Sequence, residues 1–375
     1  MSLSKYIQLN SLGGDFAELQ SNVREGMPCS AFGIQFSHKC HIVSSLGLPV
    51  LYVTSTAVGA KQAAEEISEL TDKKVVYLPP KDDVVLFKHS FNKESLFGRL
   101  TALYEIKNGA EIVVAPIESL MQLFPKTVGA LTITENEEIC VDEAVKALAK
   151  LGYSRVESVS EKGTFSLRGD ILDVYPVNSE NPFRVNFFGD EVETICSFDE
   201  ATGLKNERVK TFKAVAATDI FIDETERDEI RTKLKESYGK SVKNMVFTKS
   251  RAIFSELSEA LESGSFADCL QFIMPLLKSS TNDIFDYIDK NAVVVFDECK
   301  LLKDTAESIY KEHTERVSRF LKSGEAYDFT LNQLLSIEEV LTNFNGKRKL
   351  ALQSLITKIE FFNPLKTYKF NCTPV

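Results

Sequence analysis

The chain has 375 residues, 43% of them hydrophobic, and a formal net charge of −10. That length fits two or three packed domains, and the acidic balance argues against a surface that grips duplex DNA by itself, where Lys and Arg must neutralise phosphates. No apolar run reaches the roughly 18 residues of a membrane span, the opening MSLSKYIQLN lacks the pattern of a secretory signal, and seven cysteines without pairing spacings fit reduced thiols in a cytoplasmic protein.

The first third alternates strand and helix signals, as parallel α/β folds do. Leu48–Thr54 (LPVLYVT) suits a buried strand, and Ala57–Leu70 is helical by period, with Ala60, Ala63, Ala64 and Ile67 on one side. Val75–Leu78 reads as a strand, Leu96–Lys107 as a helix and Glu111–Pro116 as a strand, with a short helix on to Leu123. Such continuous apolar runs mark strands covered on both faces. The pattern changes between Pro125 and Thr134. A helix over Val141–Gly152 then leads into a hairpin-rich block that ends near Lys213. Charge-rich helical periodicity returns from Asp223 to about Leu277, and Ala292–Phe296 is another apolar strand. These signals predict an α/β domain in two halves, residues 1–125 and 216–345, interrupted by a small α+β domain over 126–215. Thr342–Lys349 (TNFNGKRK) reads as a linker, and residues 346–375 as the start of a truncated third domain whose last stretch is a strand without a partner.

The most informative block is Gly163–Phe198. In Phe183–Phe188 the residues alternate, with Phe183, Val185 and Phe187 on one face and Arg184, Asn186 and Phe188 on the other. Gly189-Asp190 is a two-residue hairpin signal, and Glu191–Phe198 returns as the paired strand. An outward aromatic beside an arginine has two readings: a ring packed on a neighbouring loop, or an interface anchor of the types that dominate binding hot spots.

Two words here, RGDILDVYP (Arg168–Pro176) and FRVNFFGDEVETICSFD (Phe183–Asp199), resemble the second domain of bacterial transcription-repair coupling factors, a domain shared with the excinuclease B subunit (UvrB). The resemblance extends more weakly from around Gly26 to about Phe329. It implies a degenerate P-loop, helicase-like domain in two halves with an inserted UvrB-type interaction domain. It also implies that Arg168, Arg184 and Phe188 contact the excinuclease A subunit (UvrA) in nucleotide excision repair. Asn186 stands where the family usually carries an acid. By resemblance the longer protein is an ATP- and Mg-dependent DNA translocase that displaces stalled RNA polymerase, with its motor and its RNA polymerase and DNA contacts outside this chain.

Where UvrB carries its phosphate loop, this chain reads Gly26-Met27-Pro28-Cys29-Ser30-Ala31-Phe32-Gly33. A working loop needs glycines that let backbone N–H groups close on phosphate, a lysine to neutralise charge and a hydroxyl for magnesium. Ala31, Phe32 and Gly33 replace the second glycine, the lysine and the hydroxyl, so neither nucleotide hydrolysis nor a cofactor is expected of this chain. Asp297 and Glu298, at the end of Ala292–Glu298 (AVVVFDE), resemble the acidic pair that holds magnesium and polarises water in an ATPase, but without a partner lysine they read as a structural remnant. The alternative is a self-contained helicase-like ATPase acting on damaged DNA. His38, Cys40 and His41 offer at most three metal ligands with no fourth nearby, so no metal is expected. In the stretch Leu78–Leu96, which would correspond to the DNA-gripping hairpin of UvrB, no tyrosine cluster is present for base stacking, and Lys81, Lys88 and Lys93 read as a solvated face.

Overall fold

The computed structural model describes residues 14–81, 92–243, 247–263, 268–278, 280–281 and 283–370. After α1 (Asp15–Arg24), the chain forms β1 (Cys29–Phe32) and passes through Gly33, Ile34 and Gln35 into α2 (Phe36–Ser45). Then come β2 (Val50–Thr54), α3 (Ala57–Leu70), β3 (Val75–Tyr77), α4 (Lys93–Lys107), β4 (Ile112–Pro116) and α5 (Ile117–Met121). β5 (Phe124–Pro125), which pairs with Ser280 and Thr281 further along the chain, precedes the insertion, which holds β6 (Ala130–Thr134), α6 (Val141–Lys150), β7 (Ser154–Arg155), β8 (Thr164–Arg168) and β9 (Ile171–Tyr175). It continues with β10 (Phe183–Phe188), β11 (Glu191–Phe198), β12 (Lys205–Arg208) and β13 (Thr211–Val215). Beyond it lie α7 (Glu224–Lys243), α8 (Phe247–Ser263), β14 (Ser280–Thr281), β15 (Val293–Asp297), α9 (Cys299–Ser323), α10 (Ile337–Asn343), β16 (Arg348–Gln353) and β17 (Lys366–Lys369).

Seven strands form one parallel sheet in the order β17-β1-β16-β15-β2-β4-β3. Its central strands are covered on both faces: β2 and β4 are buried throughout, and so is β15 from Val293 to Phe296. The sheet is built from both flanks of the insertion, because β15 pairs directly with β2. The fold class is therefore α/β, with a parallel sheet split around an inserted antiparallel one.

The C-terminal stretch departs from the sequence reading. Residues 346–370 complete the parallel sheet where a new domain was expected, and 342–349 is not a linker. α10 ends within that stretch, β16 starts in it, and β16 lies inside the sheet between β1 and β15. Lys347, Arg348 and Lys349 mislead because they sit where the strand enters from solvent; Leu350, Ala351 and Leu352, which follow, are fully buried. The strand-like tail finds its partner too, since β17 pairs in parallel with β1. Residues 216–345 are likewise more than half of an α/β sheet. Ile230, Leu234, Leu257, Leu261, Phe272 and Tyr327 form a separate helical core beside it.

The insertion leaves and rejoins the parallel sheet through the antiparallel pair β6–β13, with Ala130 opposite Val215. Its main sheet runs β12-β11-β10-β9-β8-β7. Leu172, Val174, Val185, Phe187, Val192 and Ile195 are among its buried apolar side chains, and they belong to the same continuous core as Leu100, Leu103 and Val113 of the α/β part. The α4 residue Phe97 is at this junction, its ring 3.0 Å from where a Cβ on Gly163 would stand.

Lys81 is not on a solvated face. It is buried, its Nζ donating to Asp219 Oδ2 (2.8 Å) and Gln271 Oε1 (3.3 Å), while its backbone exchanges two hydrogen bonds with the Gln122 side chain. Lys93, at the start of α4, is exposed, and Lys88 lies outside the described residues.

Candidate partner-binding surface

Directly opposed residues of neighbouring strands share a sheet face, so the registers map the surface on which Arg168, Arg184 and Phe188 sit. One row across the strands reads Arg168 (β8), Ile171 (β9), Asn186 (β10) and Thr194 (β11). The next row reads Ser166, Asp173, Arg184 and Cys196. β11 carries an extra residue opposite the Asn186–Phe187 step, so β10 keeps its own alternation, and Phe188 stands on the same face as Arg184 and Asn186. The Phe187 N–H donates to Asp170 O (2.9 Å), tying the β8–β9 turn against the end of β10. Phe188 and Arg168 thus share one end of the sheet.

The ring of Phe188 is 79% exposed, which removes the reading in which it packs on a loop. Ile171, 39% exposed, adds apolar surface between it and Arg168. Neither arginine is loose. Asp173, itself 2% exposed, receives Arg184 Nε on Oδ1 (2.7 Å) and Arg184 Nη2 on Oδ2 (2.8 Å), and Arg168 Nη2 on Oδ2 (2.9 Å). The Arg184 guanidinium also lies 4.8 Å over the Phe198 ring, and its hydrogen bonds to Asp173 raise its pKa further above the ordinary arginine value. Asn186, in place of an acid, donates to Thr194 Oγ1 (2.7 Å). Asp173 and Ile171 were missed in the sequence although alternation along β9 puts both on the face of Arg184; what hid them was the usual expectation that Ile and a mid-strand Asp face opposite ways.

Residues 131–220 match the family model of the UvrB interaction domain. Over nearly its whole length the chain is also similar to transcription-repair-coupling factors. That of Bacillus subtilis (strain 168) is 25% identical over 360 residues, which are 92% of this chain and 30% of that protein. That of Staphylococcus epidermidis is 27% identical over 352 residues, 87% of this chain and 28% of that protein, and that of Staphylococcus aureus (strain MRSA252) is 26% identical over 344 residues, with the same shares. The chain is thus similar to the N-terminal region of transcription-repair coupling factors, with a match to the UvrB interaction domain within it. It spans about 30% of the length of the curated relatives it matches.

The window that the sequence reading aligned with a phosphate loop is arranged differently from that reading. The window Gly26–Gly33 is not a loop between strand and helix: Cys29, Ser30, Ala31 and Phe32 are β1, paired on both sides. The connection that enters a helix is Gly33-Ile34-Gln35, shorter than the glycine-to-glycine span a phosphate loop requires. Gly26 has a positive φ in the turn before β1. Gly33 also has a positive φ, and a Cβ there would stand 2.1 Å from Phe370 O, so close backbone approach, not a lost hydroxyl, explains this glycine.

Asp297 and Glu298 do have a lysine. The buried Lys39 of α2 donates from Nζ to Asp297 Oδ1 and to Glu298 Oε1, both at 2.6 Å. Glu298 Oε1 also accepts the Ser354 N–H (2.6 Å). Burial pushes the Asp297 carboxyl above the usual range despite Lys39. For Glu298 burial also pushes up, but the hydrogen bonds from Lys39 and Ser354 outweigh it and hold the carboxyl below its ordinary value. One oxygen of each carboxylate is thus bonded to an internal ammonium, an arrangement that suits a structural ion cluster better than a magnesium site. No sequence signal joins Lys39 to residues some 260 positions away; only the sheet does. His38 and His41 lie on α2, and among the described residues no group of three or more His, Cys, Asp or Glu side chains is set to hold a metal ion. No described helix is long and apolar enough to cross a membrane.

Proposed function

We propose that this chain is a non-catalytic adaptor that recruits the excinuclease A subunit (UvrA) in transcription-coupled nucleotide excision repair. Its inserted sheet offers Phe188, Ile171 and Arg168 to a partner surface with an apolar pocket edged by carboxylate. The observation that carries the reading is the exposure of Phe188 beside Arg168 on a sheet whose other phenylalanine neighbour, Phe187, is buried. A rigid exposed aromatic next to arginine is the composition of a binding hot spot. The α/β part serves as a base without turnover, which the Lys39–Asp297–Glu298 cluster supports. In the same reading the protein is cytoplasmic, and ATP, Mg, DNA and RNA polymerase engage a translocase motor outside this chain.

Titration of purified UvrA with this chain tests the reading. Phe188→Ala should weaken binding by roughly thirtyfold and leave the melting temperature unchanged, as for other exposed side chains. Undiminished binding by the folded variant would refute the adaptor role of this face. Mg·ATP added to the wild-type chain should produce no binding heat, and a saturable signal would restore the ATPase reading.

A further inference from the structure

Arg168 and Arg184 look equivalent in the sequence, but their surroundings differ in kind. Arg184 spends Nε and Nη2 on a two-pronged contact with Asp173, one face of its guanidinium is covered by Phe198, and its side chain is 21% exposed. Arg168 gives Asp173 a single Nη2 bond, and its side chain is 58% exposed. A guanidinium has five N–H donors, so Arg168 keeps most of its hydrogen-bonding capacity at the surface, while Arg184 has turned its strongest geometry inward. Asp173 lies between them on the middle strand, its two oxygens taken up by both arginines.

Building on the adaptor reading above, we propose that the two arginines divide the work of binding. Arg168 meets the carboxylate of the partner. Asp173 is a positioning residue that holds the Arg168 side chain toward the end of the sheet where Ile171 and Phe188 stand, and Arg184 is a second positioning residue that fixes Asp173. The gain comes from preorganisation: a long side chain held in its bound rotamer loses less entropy on association. The three charges also leave one net positive charge on this face, so the partner needs one carboxylate here, not two.

The test uses the full chain and purified UvrA, in a cycle of Arg168→Ala, Asp173→Asn and their combination, with Arg184→Ala alongside in both Arg168 backgrounds. Arg168→Ala should lower affinity by about tenfold or more and flatten its dependence on salt, since it removes the charge that meets the partner. Asp173→Asn should lower affinity severalfold in the wild-type background and have no further effect once Arg168 is alanine. Arg184→Ala should lower affinity in the wild-type background and lose that effect when Arg168 is alanine as well. Equal losses from Asp173→Asn or from Arg184→Ala with and without Arg168 would overturn the division. Nitrogen-15 spectra of the arginine guanidinium groups supply a partner-independent measurement. Asp173→Asn should release the rotation of the Arg168 guanidinium, and an unchanged Arg168 signal would refute positioning. If wild-type chain fails to bind UvrA, the adaptor reading falls, and the spectra still decide whether Asp173 holds Arg168.

Discussion

Lys39 shows how much one side chain can settle. An ammonium with 4% exposure is stable inside a protein only when its charge is matched and its donors are used; Asp297 and Glu298 do both. Removing it leaves two adjacent half-buried carboxylates without a counter-charge. Lys39→Met is expected to cost about 3–5 kcal/mol at pH 7. The pH dependence follows from direction. Burial already raises Asp297, and losing the cation raises it further above its unfolded value of about 4. A group raised in the folded state favours folding when protonated, so the deficit that Asp297 creates should be largest at neutral pH and shrink as the pH falls toward 5. Urea unfolding of wild type and variant at pH 7 and pH 5 measures this, and a deficit independent of pH would mean that Lys39 contributes through packing alone.

At the scale of elements, the edge of the parallel sheet depends on one glycine. β17 lies against β1, and just beyond it the Phe370 N–H donates to Phe32 O (2.9 Å) while Phe370 O closes on Gly33. A methyl group at Gly33 would meet a backbone oxygen that cannot rotate away, at a φ of +81° that disfavours any L side chain. Gly33→Ala should cost about 2–4 kcal/mol, combining the left-handed penalty with overpacking. Hydrogen exchange locates the damage: the amides of Thr367 to Lys369 should exchange much faster, while those of β2 and β4 change only with global stability. Protection of β17 equal to wild type would show that the edge is held elsewhere.

The whole molecule couples two sheets through one core. The insertion leaves and returns by the paired strands β6 and β13, so a short Gly/Ser bridge can replace residues 131–214 without pulling on the parallel sheet. Yet Phe97 and its neighbours on α4 would lose cover, because the apolar core runs unbroken from one sheet to the other. The excised protein should therefore still unfold cooperatively, with a midpoint several degrees lower, since losses on the order of a few kcal/mol shift melting by that much in a protein of this size. Loss of the cooperative transition would make the inserted sheet a requirement of the fold.

Much of this was legible in the chain. Apolar runs such as LPVLYVT and AVVVF announce strands buried on both faces, and the Ala57–Leu70 period announces the helix found there, because burial of continuous apolar stretches is a local demand on composition. The alternation of Phe183–Phe188 gave the exposed side of β10 for the same reason. Strand order, register and charge pairing are not local. Leu350–Leu352 became an inner strand because β1 and β15 needed a neighbour, against the basic residues that precede it. Lys39 met Asp297 and Glu298, and Asp173 drew Arg168 and Arg184 together, only after the sheets had set which side chains face one another. Periodicity reports which face of an element is buried; the partner of a buried charge is chosen by long-range packing, which no short stretch of sequence encodes.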